Sequence, residues 1–174
     1  MEHFQFFLSN TQATMDLGVA LALALRDFPA PPAIYLFGGL GAGKTTLGRG
    51  LVGALPGGDK AEVGSPSFTL CNIYPTRPKV LHADLYRLPP GSSLPEEMGE
   101  DLSEDVLLIL EWPENLNLDH FSQERLEINL TPLPDVSPEK LDNQGQPCEE
   151  KRLATVSAHG LTAQKLLEQL KAQW

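Results

Sequence analysis

The stretch LFGGLGAGKTTLGRGL, residues 36–51, places four glycines between positions 38 and 43 and follows them with a lysine and two threonines. It closes a nearly continuous apolar run, AIYLFG at 33–38, of the kind expected for a strand covered on both faces. Beyond the glycines, Leu47, Leu51, Ala54 and Leu55 mark one face of a helix, which PGGDK at 56–60 ends. Gly48, Gly50 and Gly53 each cost that helix up to ~1 kcal/mol relative to alanine, so tertiary packing must hold it.

Gly38, Gly39, Leu40, Gly41, Ala42, Gly43, Lys44 and Thr45 fit G-x-x-x-x-G-K-[ST] at every fixed position, between a predicted strand and a predicted helix. Glycines let successive backbone N–H groups turn inward around an oxyanion, and the helix N-terminus adds its positive dipole end. Lys44 then supplies a point charge for β- and γ-phosphates, and the Thr45 hydroxyl can ligate Mg²⁺. The pattern points to a nucleoside triphosphate site.

Such a site needs a further carboxylate for its metal, commonly at the end of a buried neighbouring strand. Glu111 ends VLLILE, the most apolar run of the chain, where an unpaired carboxylate is costly. Asp84 of HADLY is the second candidate. Either can bind Mg²⁺ or position an attacking water, and spacing alone does not separate the two roles. The sequence carries no N-K-x-D to read guanine and no LSGGQ-like segment of a transporter ATPase. A small kinase or a compact ATPase is left.

The 174 residues suit a single α/β domain, 1–174, and the composition is that of a loop-rich globular protein, with 15 Gly and 15 Pro. A net charge of -10 repels nucleic-acid phosphate, and no basic cluster offsets it. Cys71 and Cys148 lack metal-ligand spacing and read as inert thiols of a reducing compartment. The start has no basic leader region, and the longest apolar run is far short of the ~20 residues of a membrane span, so a cytoplasmic protein with no membrane partner is expected.

Strands are predicted at 3–9, 67–74, 79–86, 106–112, 125–130 and 152–158, the second and third joined as a hairpin by PTRPK. Leu17, Leu21, Ala24 and Phe28 stripe a helix over 12–28, capped by SNT and broken by PAPPA. Ala163, Leu166, Leu167, Leu170 and Trp174 share a face of a final helix. LPEEMGEDLSED at 94–105 reads as a solvated acidic helix or loop, and residues 131–150 as a mobile loop.

Five segments, QATMDLG (12–18), GLGAGKTTLGRGL (39–51), GSPSFTL (64–70), HADLYRL (82–88) and LEWPE (110–114), fall in the order and spacing of one family. The chain resembles the TsaE (YjeE) family, small bacterial ATPases required for threonylcarbamoylation of the adenosine next to the anticodon of tRNAs. The glycine motif alone is common property; SPSF, HADLYRL and LEWPE are the specific signals.

The resemblance implies a P-loop NTPase-like domain, a mixed central sheet flanked by helices. It implies ATP and Mg²⁺ as cofactors, with weak hydrolysis that works within a complex with TsaD and TsaB and touches tRNA only through that complex. Lys44 and the loop residues Gly39, Leu40, Gly41, Ala42 and Gly43 are then expected to hold the phosphates. Thr45 and Glu111 bind the metal, Asp84 acts in catalysis or at the metal, and Thr46 and Trp112 lie beside the nucleotide. Ser65 and Ser67 belong to a switch-like segment near the γ-phosphate, and Thr11 stands toward the adenine end. The chain departs from the family at Gly39, often aspartate, and at Ser67, often threonine. His82 reads as a tuner of Asp84 or a hydrogen-bonded structural residue, and Arg87 as an internal arginine finger or an ion-pair partner of the acidic segment. A small-molecule kinase and a nucleotide-gated binding module are the alternatives to an ATPase.

Overall fold

A computed structural model describes residues 3–66, 69–99, 102–103, 105–134 and 150–174. The strands are β1 (His3–Leu8), β2 (Ala33–Phe37), β3 (Cys71–Tyr74), β4 (Lys79–Asp84), β5 (Val106–Glu111), β6 (Arg125–Pro132) and β7 (Arg152–His159). The helices are α1 (Thr11–Ala24), α2 (Lys44–Ala54), the short α3 (Glu96–Gly99) and α4 (Leu161–Gln173). The strands form one mixed sheet in the order β1-β7-β6-β2-β5-β4-β3. Its centre, β6-β2-β5-β4, is parallel, and β1, β7 and β3 attach antiparallel to their neighbours.

Side-chain alternation sorts the sheet into two faces. Ile34 and Leu36 of β2, Val80 of β4 and Leu107 and Ile109 of β5 pack with α1, α2 and α4 in one core. Ala33, Tyr35, Leu81, Ala83, Val106 and Leu110 fill a second core on the other face, closed by Leu85, Met98 of α3 and Leu116. The same parity puts His82, Asp84 and Glu111 on the α2 face. Register makes Asp84 the direct neighbour of Glu111 and sets Glu111 beside Leu36. The carboxyl ends of β2, β4 and β5 therefore meet at one edge, where open parallel sheets bind ligands.

The glycines of α2 explain its low helix propensity. A Cβ on Gly50 would sit 2.1 Å from the Met15 carbonyl oxygen, and one on Gly18 of α1 would sit 2.2 Å from that of Leu47. Bare backbone at these positions lets α1 and α2 cross in close contact.

Several predicted boundaries move. Asn10, from the SNT cap, accepts from the Ala13 amide at 2.8 Å. The helix expected to reach Phe28 ends at Ala24, tightens into a 3-10 turn over Leu25–Asp27, and leaves Phe28 extended. Pro29 disfavours the helical conformation for the residue before it. The first strand of the hairpin, predicted from residue 67, begins only at Cys71, because Leu70 is left-handed at φ 68°. Thr131 and Pro132, placed in the loop by sequence, continue β6 opposite Leu153 and Arg152. Ser67, Cys148 and residues 135–149 of that loop lie outside the described residues.

Candidate active site

The loop between β2 and α2 turns on glycine. Gly38, Gly41 and Gly43 have φ of 131°, 75° and 101°, backbone that side-chain-bearing residues rarely adopt. Gly43 caps α2 without a side-chain hydrogen bond, so the first amides of the helix face the space in front of the loop. Gly39 is different: its φ is not positive and nothing lies within 4 Å of a Cβ built there. The backbone tolerates a side chain at this position, so glycine there is not required by the phosphate cradle.

A cavity of about 450 Å³ opens in front of the loop, lined among others by Leu40, Gly41, Ala42, Gly43, Lys44, Thr45 and Thr46. The lining also includes Ser65, Asp84, Tyr86, Arg87, Glu111 and Trp112. Lys44 is 5% exposed. Its ammonium donates to the carbonyls of Gly38 at 2.6 Å and Gly39 at 2.9 Å, and stands 3.9 Å over the Trp112 ring. Burial lowers its pKa from the ordinary value, opposed by the charges of Glu111, Glu114 and Asp84. A cation desolvated in this way is poised for an anion.

Trp112 follows β5 in a left-handed conformation, φ 58° and ψ 46°, rather than extending the strand as the sequence suggests. That strain, of order 1–3 kcal/mol for a side-chain-bearing residue, turns the indole back over the loop. Tyr86 packs on the indole with centroids 5.0 Å apart.

The carboxylates are held differently. Asp84 accepts from Ser65 Oγ at 2.8 Å and from the Tyr86 amide at 3.0 Å. Glu111, 2% exposed, accepts from Thr45 Oγ1 at 2.9 Å and from His82 Nε2 at 2.9 Å. His82 thus pairs with Glu111, and the tuning of Asp84 suggested by their proximity in sequence is not seen. Thr45, Glu111 and the adjacent Asp84 offer hard oxygen donors that fit Mg²⁺, an ion that keeps several waters and takes phosphate oxygens. Among the described residues no group of three or more His, Cys, Asp or Glu forms a cage of its own.

Most sequence-predicted residues converge here. Gly39 contributes its carbonyl to Lys44 from outside the lining. Thr11 is exposed at the start of α1 and outside the lining; from that helix it is Thr14 that approaches the loop, its Cγ2 3.3 Å from a Cβ built on Gly43. Three neighbours escaped the sequence reading: Thr14, Tyr86 and Arg152. Arg152 is buried with its Nε 3.3 Å from the same Gly43 position, and that nitrogen has no hydrogen-bond partner among the described residues. Tyr86 was detectable two residues past Asp84 in HADLYRL, whereas Thr14 and Arg152 come from elements whose proximity only the fold reveals.

A parallel-centred sheet, a glycine loop leading into a helix, and a lysine and carboxylates gathered at the strand ends define a P-loop NTPase-like α/β domain. The crystal structure of Bacillus subtilis YdiB has the same fold, at TM-score 0.72 and 24% identity, covering 98% of this chain and 95% of that one. The family profile of threonylcarbamoyl adenosine biosynthesis protein TsaE matches residues 8–137, and the chain belongs to that family. A Streptomyces coelicolor relative, "tRNA threonylcarbamoyladenosine biosynthesis protein TsaE", is 36% identical over 119 residues, 66% of this chain and 76% of that protein. A Synechocystis relative of the same description is 40% identical over 118 residues, 64% of this chain and 71% of its own length.

Proposed function

We propose that this protein is an ATPase of tRNA threonylcarbamoyladenosine formation, binding and hydrolysing Mg-ATP to support turnover of a TsaB–TsaD complex. The observation that carries the reading is the convergence of Lys44, Thr45, Asp84 and Glu111 on one cavity at the strand ends. In this reading the loop amides and Lys44 hold the phosphates, and Lys44 exchanges the Gly38 and Gly39 carbonyls for phosphate oxygens. Thr45 and Glu111 hold Mg²⁺, which when bound neutralises charge on the phosphates. Asp84, oriented by Ser65 Oγ and the Tyr86 amide, positions the attacking water and takes its proton. Trp112 and Thr46 border the nucleotide. The family and the relatives' descriptions support the tRNA pathway, and the net charge of -10 suits a subunit that reaches tRNA through its partners.

The test is restoration of multiple-turnover modification of tRNA to a mixture of TsaC, TsaB and TsaD, with ATP and with a non-hydrolysable analogue. Restoration by ATP alone is expected. Lys44→Ala should abolish nucleotide binding, whereas Glu111→Ala should bind ATP and lose turnover by 10²-fold or more, on the order of a lost electrostatic contact to the transition state. Parent-like hydrolysis by Glu111→Ala in the presence of TsaB and TsaD would remove that carboxylate from the mechanism. A stable phosphorylated metabolite formed from labelled ATP would replace the ATPase with a kinase.

A further inference from the structure

We infer that His82 is a positioning residue for the metal site: its Nε2–H holds the Glu111 carboxylate in the orientation in which Glu111 and Thr45 receive a divalent cation together. The inference rests on the reading of Glu111 and Thr45 as metal donors and deepens it.

His82 is fully buried on β4, two residues before Asp84 and on the same face of the sheet. Its Nε2 lies 2.9 Å from Glu111 Oε1. A carboxylate oxygen only accepts, so Nε2 carries the proton and donates. Thr45 Oγ1 donates to the same oxygen at 2.9 Å and lies 3.2 Å from Oε2. Glu111 is thereby fixed from two elements, α2 through Thr45 and β4 through His82. Once Thr45 turns its hydroxyl oxygen to a cation, His82 is the contact that keeps the carboxylate from swinging away.

The far side of the ring argues against a role in packing alone. Nδ1 is buried without a hydrogen-bond partner among the described residues. An unsatisfied buried nitrogen is a cost that leucine at this position would not incur. Gly48 of α2 adjoins the ring, a Cβ built there lying 3.6 Å from His82 Cε1, an ordinary packing distance. What leucine cannot supply is the Nε2–H. Hydrogen bonds to metal-ligating carboxylates orient them, and their loss commonly weakens metal affinity by about 10–100-fold.

The experiment is calorimetric titration of ATP into the full chain, in EDTA and in saturating Mg²⁺, for the parent, His82→Leu and His82→Gln. The ratio of the two affinities isolates the metal's contribution. The parent should gain affinity with Mg²⁺; His82→Leu should lose about tenfold or more of that gain. His82→Gln, which keeps a donor at similar reach, should retain most of it, and all three should bind ATP equally in EDTA. A parent-like gain in His82→Leu, an equal loss in His82→Gln, or altered affinity in EDTA would overturn the inference. A parent that gains nothing from Mg²⁺ would instead remove the metal reading on which it stands.

Discussion

Lys44 carries opposing demands. Its ammonium is buried, and burial lowers its pKa from 10.5 even though Glu111, Glu114 and Asp84 pull the other way. Between the lowered folded value and 10.5 the unfolded chain binds more protons than the folded one, so unfolding free energy rises with pH across that window. Below the folded value the ammonium is kept charged at a cost. The nucleotide-free parent, compared with Lys44→Met by denaturant unfolding, should therefore gain relative stability as pH rises toward 10.5. A difference that stays flat or falls would show that the lysine is not desolvated by burial. The lysine's place in the motif was legible in the sequence; its carbonyl contacts and the indole beneath it were not, because Trp112 reaches it only through a left-handed turn after β5.

The α1–α2 pair shows how an element can contradict its own propensity. A Cβ on Gly53 would meet nothing within 4 Å, whereas one on Gly50 would collide with the Met15 backbone. Helix propensity favours alanine over glycine by ~1 kcal/mol at both positions. Overpacking a fixed backbone costs about 1–3 kcal/mol or more, and at 2.1 Å the upper end applies. Gly53→Ala should thus stabilise by up to ~1 kcal/mol, and Gly50→Ala should destabilise by roughly 2 kcal/mol, both read from chemical denaturation. Equal effects would mean that the two helices do not cross as described. The sequence announced that packing must hold α2, and it could not name the partner, since helix crossing depends on residues some thirty positions apart.

At the scale of the whole molecule, the site couples to stability because α2, β4 and β5 all contribute to it. A ligand that binds only the folded state at 100 times its Kd should stabilise by about 2.7 kcal/mol. Mg-ATP should raise the parent's melting temperature by several degrees in differential scanning fluorimetry and leave Lys44→Ala unmoved. An equal rise in both would place nucleotide elsewhere. Among the described residues no helix is long and apolar enough to cross a membrane. What the sequence by itself determined was local: the glycine loop between strand and helix, the apolar runs of β2 and β5, Glu111 closing the second of these runs with Asp84 as a further candidate carboxylate, and segments specific enough to indicate the family. These depend on residue type and short spacing, which a chain displays directly. Only the tertiary structure decided that β5 lies between β2 and β4, that Asp84 and Glu111 are neighbours, and that His82 serves Glu111 rather than the residue two places along. Strand order and pairing register are set by packing between distant segments, and it is this packing that brings together side chains the sequence keeps apart.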